Sequence, residues 1–291
     1  MLKNCFNYVG SKDRLFSLID ENLDKDKEIF IDLFCGSGVV GINELYNYKR
    51  VVLNDACWQV TETLKYFRDN SFESITKELN NCIKKYKLSK ENKEGYNALR
   101  EDYNEVYYDR LTFSPVMFYC LLTHSFNYNI HISKEGRFNV PFGKDRSYFS
   151  NSLKTKLEGI QWELHENSGR ITVKSEDFSK LVEKSEKFIS KSMFYVDPPY
   201  LISDSSYGRI YYLGRWNEDK ERTLLNNLSF IDSKGGSFLL SNVLENNGNY
   251  NKILDTWAKK YNVIEVPVDY TNCNYQRKNA GKTKEVLIRN Y

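Results

Sequence analysis

Asp197-Pro198-Pro199-Tyr200 places an acid, two backbone carbonyls and an aromatic ring in four consecutive positions. The carboxylate and carbonyls accept hydrogen bonds, and the ring offers a flat face. Together they suit a planar base bearing an exocyclic NH2 group. The apolar run Met193-Phe194-Tyr195-Val196 precedes them and reads as a buried strand. Neither proline can extend that strand, because each lacks an N–H and fixes φ. The acceptor group is therefore expected at the carboxyl edge of a sheet, where open α/β sheets bind ligands. The plain alternative is a Pro-Pro turn with a packed tyrosine.

A second set of residues points to a nucleoside. Glu28 to Phe34 reads as a strand, and Cys35-Gly36-Ser37-Gly38-Val39-Val40-Gly41 then opens a helix. Gly36, Gly38 and Gly41 satisfy G-x-G-x-x-G in the required strand–turn–helix context. A second strand, Arg50 to Leu53, ends in Asn54-Asp55. Asp55 has the spacing expected of a carboxylate that grips ribose hydroxyls. Asp32, at the end of the first strand, would repel a pyrophosphate but can pair with the ammonium of a methionine moiety. This favours S-adenosylmethionine over a nicotinamide dinucleotide.

These groups need elements to hold them. Asn7 to Lys12 is a Gly-Ser turn before apolar positions at helical spacing, so backbone N–H groups are free to meet a negative group. Lys12 would sit in a first helical turn, where the dipole disfavours a cation. A ligand carboxylate would offset it; the alternative is a solvated lysine. Further strands are expected at Arg170 to Val173, Gly236 to Asn242, Val263 to Val268 and Lys284 to Tyr291, with helices at Phe178 to Lys187, Glu218 to Ile231 and Asn251 to Lys260. Asp177, after the third strand, could accept a hydrogen bond from an adenine amino group. Leu201 to Trp216 is a long loop of the kind that forms lids or binding surfaces. Tyr270 to Lys284 is basic and expected to face phosphate.

From Cys57 to about Gly159 the parallel-strand signal stops. Helices are expected at Trp58 to Phe67, Ile75 to Tyr86 and Ser114 to Ser125, Tyr96 to Tyr108 carries dense tyrosines and mixed charge, and the whole reads as an inserted domain. Within it, Phe126 to Ser133 and Arg137 to Val140 flank Lys134-Glu135-Gly136 and read as a β-hairpin. Two-stranded ribbons fit the DNA major groove, and Lys or Arg contacts to phosphate supply register. A decorative hairpin on a solvated face is the alternative.

The chain of 291 residues suits roughly two domains. Its net charge of +3 permits a nucleic-acid partner but requires any basic surface to be local. Cys5, Cys35, Cys57, Cys82, Cys120 and Cys273 form no CxxC pair, which suits a reduced protein rather than a disulfide frame or zinc site. No metal site is expected. There is no long apolar span and no signal-peptide core, so a cytoplasmic location is expected.

With these pieces in place, the chain resembles the Dam-type DNA adenine-N6 methyltransferases in their alpha-group motif order. The resemblance rests on Asn7-Tyr8-Val9-Gly10-Ser11-Lys12, Asp32 to Gly38, Asn54-Asp55, Phe138-Asn139-Val140-Pro141-Phe142-Gly143, Glu176-Asp177-Phe178, Asp197 to Tyr200 and Glu285 to Tyr291. It implies an α/β fold: a Rossmann-like S-adenosylmethionine-dependent methyltransferase with a mixed seven-stranded sheet and an antiparallel last strand. A catalytic domain of residues 1–56 and 160–291 would be interrupted by a mostly helical target-recognition domain, 57–159, that carries the hairpin. Tyr8, Lys12, Asp32, Phe34, Gly36, Gly38, Asp55, Asp177, Phe178 and Asp197 would hold the cofactor. Asp197, Pro198 and Tyr200 would act on a flipped-out adenine. Asn127, His131, Lys134, Arg137, Asn139, Lys144, Arg277 and Lys278 would meet double-stranded DNA. Members that methylate GATC carry Arg where this chain has His131, so GATC is a candidate target without its usual guanine-reading side chain. A monomer in solution, a dimer on DNA and a cognate restriction endonuclease are further expectations. The rival readings are methylation of RNA adenine or of a glutamine amide, a catalytically silent DNA-binding relative, and a nicotinamide oxidoreductase.

Overall fold

The computed structural model describes residues 1–6, 12–106, 110–202, 214–267 and 283–291. Its strands are β1 (Ile29–Asp32), β2 (Arg50–Asn54), β3 (Ile171–Lys174), β4 (Ser192–Val196), β5 (Ser237–Asn246), β6 (Asn249–Tyr250), β7 (Asn262–Glu265) and β8 (Thr283–Arg289). The sheet runs in the order β3-β2-β1-β4-β5-β8-β7, with the short β6 paired to β5 off that path. Strands β1 to β5 are mutually parallel along the path, and β8 runs antiparallel between β5 and β7. This is the mixed sheet expected from the sequence, with β6 added. Parallel strands have both faces covered, so they read as continuous apolar runs.

The helices are α1 (Phe16–Glu21), α2 (Val39–Asn43), α3 (Trp58–Asp69), α4 (Phe72–Tyr86), α5 (Lys93–Val106), α6 (Pro115–His124), α7 (Asn151–Glu166), α8 (Phe178–Lys184), α9 (Glu218–Ser233) and α10 (Lys252–Ala258). Many begin on a side chain that accepts a backbone N–H: Ser71, Ser114, Ser150, Asp177, Asn217 and Asn251. Strand alternation divides the core between the two faces of the sheet. Phe194, Val196, Phe238, Leu240, Val286 and Ile288 pack toward α8, α9 and α10. Phe30, Met193, Tyr195, Leu239 and Leu287 pack toward the opposite side. That second core runs without a break into the inserted helices, through Leu64, Phe67, Leu79, Tyr96, Tyr119 and Phe138.

Helix α7 is an addition to the elements expected from the sequence. Ser150 caps it, and Leu153, Leu157, Ile160 and Leu164 form its buried stripe. The boundary drawn at residues 159 and 160 falls inside it.

The expected hairpin is an irregular ribbon rather than a pair of regular strands. Phe126–Tyr128 is a 3-10 turn, with Asn127 and Tyr128 at positive φ. On either side of it the two segments run antiparallel through isolated bridges, Ser125 with Phe142 before it and Ile132 with Phe138 after it. Gly136 turns the ribbon at φ 80°. Helix α5 secures it: Asn104 donates to the Phe138 carbonyl at 3.0 Å and accepts from the Phe138 N–H at 2.8 Å. Asn104 thus meets the outward-facing N–H and carbonyl of Phe138, while Ser133 N to Arg137 O and Asn139 N to His131 O, both 2.8 Å, join the two segments to each other. No helix of the described residues is long and apolar enough to cross a membrane.

Candidate active site

Strand β1 lies between β2 and β4, so three strand ends converge at one edge. Register places Asp32 opposite Tyr195, two residues before Asp197. On the other side Asn54 ties the edge together. Its amide donates to Leu33 O at 3.0 Å and Glu176 O at 3.1 Å, and its carbonyl accepts from Glu176 N at 3.0 Å. Side-chain satisfaction of three loop groups fixes the height of Asp55 and Asp177 relative to the Gly36 turn.

The turn itself is short and left-handed. Gly38 has φ 75°, where a side chain would be strained. At Gly41 a Cβ would collide with the Leu53 side chain, so the third glycine lets α2 lie directly on β2. Asp55 accepts from Gly36 N at 2.9 Å and Cys57 N at 2.8 Å. Burial pushes the Asp55 carboxyl up, while those two backbone donors pull it back.

Asp32 is 1% exposed. One oxygen accepts from Gly41 N at 3.3 Å, and the other, Oδ1, has no hydrogen-bond partner among the described residues. Burial pushes its carboxyl well above the usual range, and the nearby Asp197 and Asp55 add to that. A buried acceptor left open beside further acids is suited to a cation.

The Asp197 group forms a second cluster. Asp197 Oδ2 pairs with Lys12 Nζ at 2.8 Å, with side chains only 19% and 10% exposed. Asp197 Oδ1 accepts from the Tyr200 hydroxyl at 2.9 Å, and Lys12 Nζ donates to that hydroxyl at 2.9 Å. Ser241 Oγ lies 3.3 Å from the same hydroxyl, and Glu285 Oε1 lies 3.4 Å from it. Burial works against the Lys12 charge, and Asp197, Tyr200 and Glu285 together outweigh it, so the ammonium is held above its ordinary range. The cation in the first turn is thus offset by the protein's own acid. Tyr200 is anchored through its hydroxyl, with Lys12 also 5.4 Å from its ring centroid. Pro198 is buried, while Pro199 is exposed at the rim.

An aromatic group completes the edge. Phe34 lies 5.4 Å from Phe178 and 5.8 Å from Trp216, and Phe178 lies 5.7 Å from Trp216, centroid to centroid. Asp177, just before Phe178, is exposed and caps α8 through Ser179 N and Lys180 N.

Trp216, Ser241 and Glu285 are not among the site residues expected from the sequence. Ser241-Asn242 is a polar pair inside the apolar run of β5, and Glu285 is a lone acid in an apolar strand; both are usable signals. On the ribbon, Asn127, Lys134, Arg137, Asn139 and Lys144 are exposed and His131 is half-buried, while Ile130, Ile132, Phe138 and Val140 face the core. Tyr8, Arg277 and Lys278 lie outside the described residues. Among the described residues no group of three or more His, Cys, Asp or Glu side chains could hold a metal.

Comparison with known proteins is consistent with this geometry. Residues 8–272 match the family model for D12 class N6 adenine-specific DNA methyltransferases. The chain belongs to that D12 class. Type II methyltransferase M.FokI of Planomicrobium okeanokoites is 35% identical over all of this chain and 43% of its own length. The modification methylase StsI of Streptococcus sanguinis is 32% identical with the same coverage. Type II methyltransferase M.MjaIII of Methanocaldococcus jannaschii is 25% identical over all of this chain and 99% of its own. The D12 chain therefore spans less than half of the FokI and StsI relatives.

Proposed function

We propose that this protein methylates N6 of adenine in double-stranded DNA, using S-adenosylmethionine. The observation that carries the proposal is the adjacency of two unlike acid sites at one sheet edge: the open acceptor of Asp32 and the anchored carboxylate of Asp197. The site fits the cofactor. Asp32, Asp55 and Asp197 would repel a pyrophosphate, while the open Asp32 oxygen suits an ammonium. Asp32 would hold that ammonium, Asp55 the ribose, and Phe34 and Phe178 the adenine face, with Gly36 and Gly38 allowing close approach. Tyr8, Lys12 and Asp177 complete the proposed cofactor set. When bound, S-adenosylmethionine supplies an electrophilic methyl group.

The chain's own task is to make a poor nucleophile available. The N6 lone pair of adenine is delocalised into the ring. Asp197 and the Pro198 carbonyl would accept the two N6 hydrogens, drawing the lone pair back onto nitrogen and stabilising the charge that develops there. Both Asp197 oxygens are engaged by Lys12 and Tyr200, but each keeps a second lone pair for an incoming N–H. Lys12 and Tyr200 thus fix the plane of the carboxylate before the base arrives. Positioning of this kind is worth up to roughly 7–11 kcal/mol. A duplex hides N6, so the base must be extruded at a cost of a few kcal/mol. Tyr200 would then border the extruded base, its ring held in place by its hydroxyl bonds.

The insertion is proposed as the target-recognition unit. Exposed Lys134, Arg137 and Lys144, with Asn127, His131 and Asn139 beside them, would meet the duplex, along with Arg277 and Lys278. GATC is the candidate target. A cytoplasmic location and a cognate endonuclease accord with this reading, and the StsI relative is named a modification methylase.

Replacing Asp197 with Asn keeps the shape and one acceptor. Transfer of labelled methyl to adenine-containing duplex should fall by about a hundredfold or more, a loss of the size seen when one transition-state acceptor or donor is removed, while S-adenosylhomocysteine still binds. Full transfer by that variant would remove Asp197 from the reaction. Base-modification sequencing of DNA from a methylation-deficient host expressing the wild type reads the target directly, and GATC is the sequence to look for.

A further inference from the structure

Glu221 lies in the first turn of α9 and is 0% exposed. Its hydrogen-bond partners among the described residues are three neutral N–H donors. Trp216 Nε1 donates to Oε2 at 2.7 Å, and the amides of Asn242 and Asn251 donate to Oε1 at 3.2 and 3.0 Å. Burying a carboxylate costs several kcal/mol, so its presence needs a reason. Three converging donors give one: they require a group that only accepts, and a carboxylate has two such oxygens whereas an amide has one.

The three donors differ in what they reach. Asn251 caps α10, and Asn242 lies within β5. Trp216 is half-buried and touches Phe34 and Phe178, the ring that follows β1 and the ring that opens α8. Its indole edge is fastened to Glu221, and its ring packs against those two rings. A single hydrogen bond to a charged acceptor fixes the rotation of a side chain that apolar contacts alone would leave free to slide.

We propose that Glu221 is a positioning residue that holds Trp216 against Phe34 and Phe178, so that the three rings form one wall for the adenine ring of the cofactor. The inference rests on the cofactor assignment proposed above. It adds Trp216 to the cofactor site and gives Glu221 a role exerted through it.

The probe is S-adenosylhomocysteine, which binds without turnover, followed by calorimetry and by tryptophan emission. In Glu221→Gln the side-chain NH2 must face at least one of the three donors, and affinity should fall by about tenfold. Trp216→Phe keeps a ring but has no N–H to hold, and affinity should fall several-fold, with loss of the emission change that the probe causes in the wild type. The double variant should bind no more weakly than the weaker single variant, because both changes break one contact. Equal affinity in wild type and Glu221→Gln, additive losses in the double variant, or an emission change that persists in Trp216→Phe would each overturn the inference while leaving the cofactor assignment intact. A wild type that does not bind the probe would overturn both.

Discussion

Asp32 illustrates how a single side chain can be costly to the fold and useful to the site. Its ionised form is penalised by burial, so its folded carboxyl lies above the ordinary range. The sign follows: the native state is favoured by this group at low pH, and that contribution is lost as pH rises and the buried acid must ionise. Asp32→Asn should therefore raise the melting temperature above neutral pH and lower affinity for S-adenosylhomocysteine by about tenfold or more, since an amide offers the ammonium no charge. A variant that melts lower and binds as well as the wild type would contradict the role. Glu44 gives a cleaner titration away from the site. It is 0% exposed, with one oxygen unpartnered among the described residues, and burial raises it from 4.5 to about 7, against a pull from Asn47. Its stabilising contribution is full below about 4.5 and is lost as pH climbs through about 7. Glu44→Gln should flatten the stability profile across that window by on the order of a few kcal/mol, as read by denaturant melts at several pH values. Asp32, Asp55, Asp197 and the glycines are legible in the sequence because each belongs to a contiguous motif. Ser241 and Glu285 show there only as polar residues within apolar strands, and Trp216 shows nothing, because strand register and a side-chain hydrogen bond bring them to the edge.

Among the elements, the ribbon is held by α5 as well as by its own pairing. Asn104→Ala would leave the Phe138 N–H and carbonyl without their two bonds, a loss of about 1–3 kcal/mol for buried groups. Thermal melts should show that loss, and DNA affinity should fall with it while S-adenosylhomocysteine affinity holds. Unchanged DNA binding would separate the ribbon from recognition. Each of the sheet's seven main strands announces itself through apolar runs closed by polar residues. Helix α7 is marked in the same way, by Ser150 and the 153-157-160-164 stripe, yet it lies across the boundary that the change of texture suggests. The ribbon is less regular than its sequence implies, because alternation reports which side chains are buried and says nothing of what satisfies the backbone between them.

For the molecule as a whole, a net charge of +3 is too small to bind DNA by bulk attraction. The proposed binding would have to come from local contacts, and each phosphate neutralised steepens the salt dependence by roughly 0.9 in log–log slope. Replacing exposed Lys134, Arg137 and Lys144 together with Ala should reduce that slope by roughly 0.9 for each phosphate no longer neutralised. An unchanged slope in filter-binding or anisotropy titrations would place the duplex on another face. The strand order carries a consequence for biosynthesis. β8 follows β7 in the chain yet pairs on both sides, with β5 and β7. During translation, then, the β5 edge stays unpaired until residues 283–289 leave the ribosome, and Tyr200 has no Glu285 to meet before that moment. The nascent polypeptide would carry an exposed, apolar sheet margin from the completion of β5 at Asn246 until β8 emerges, a period in which holdase chaperones have a clear binding site.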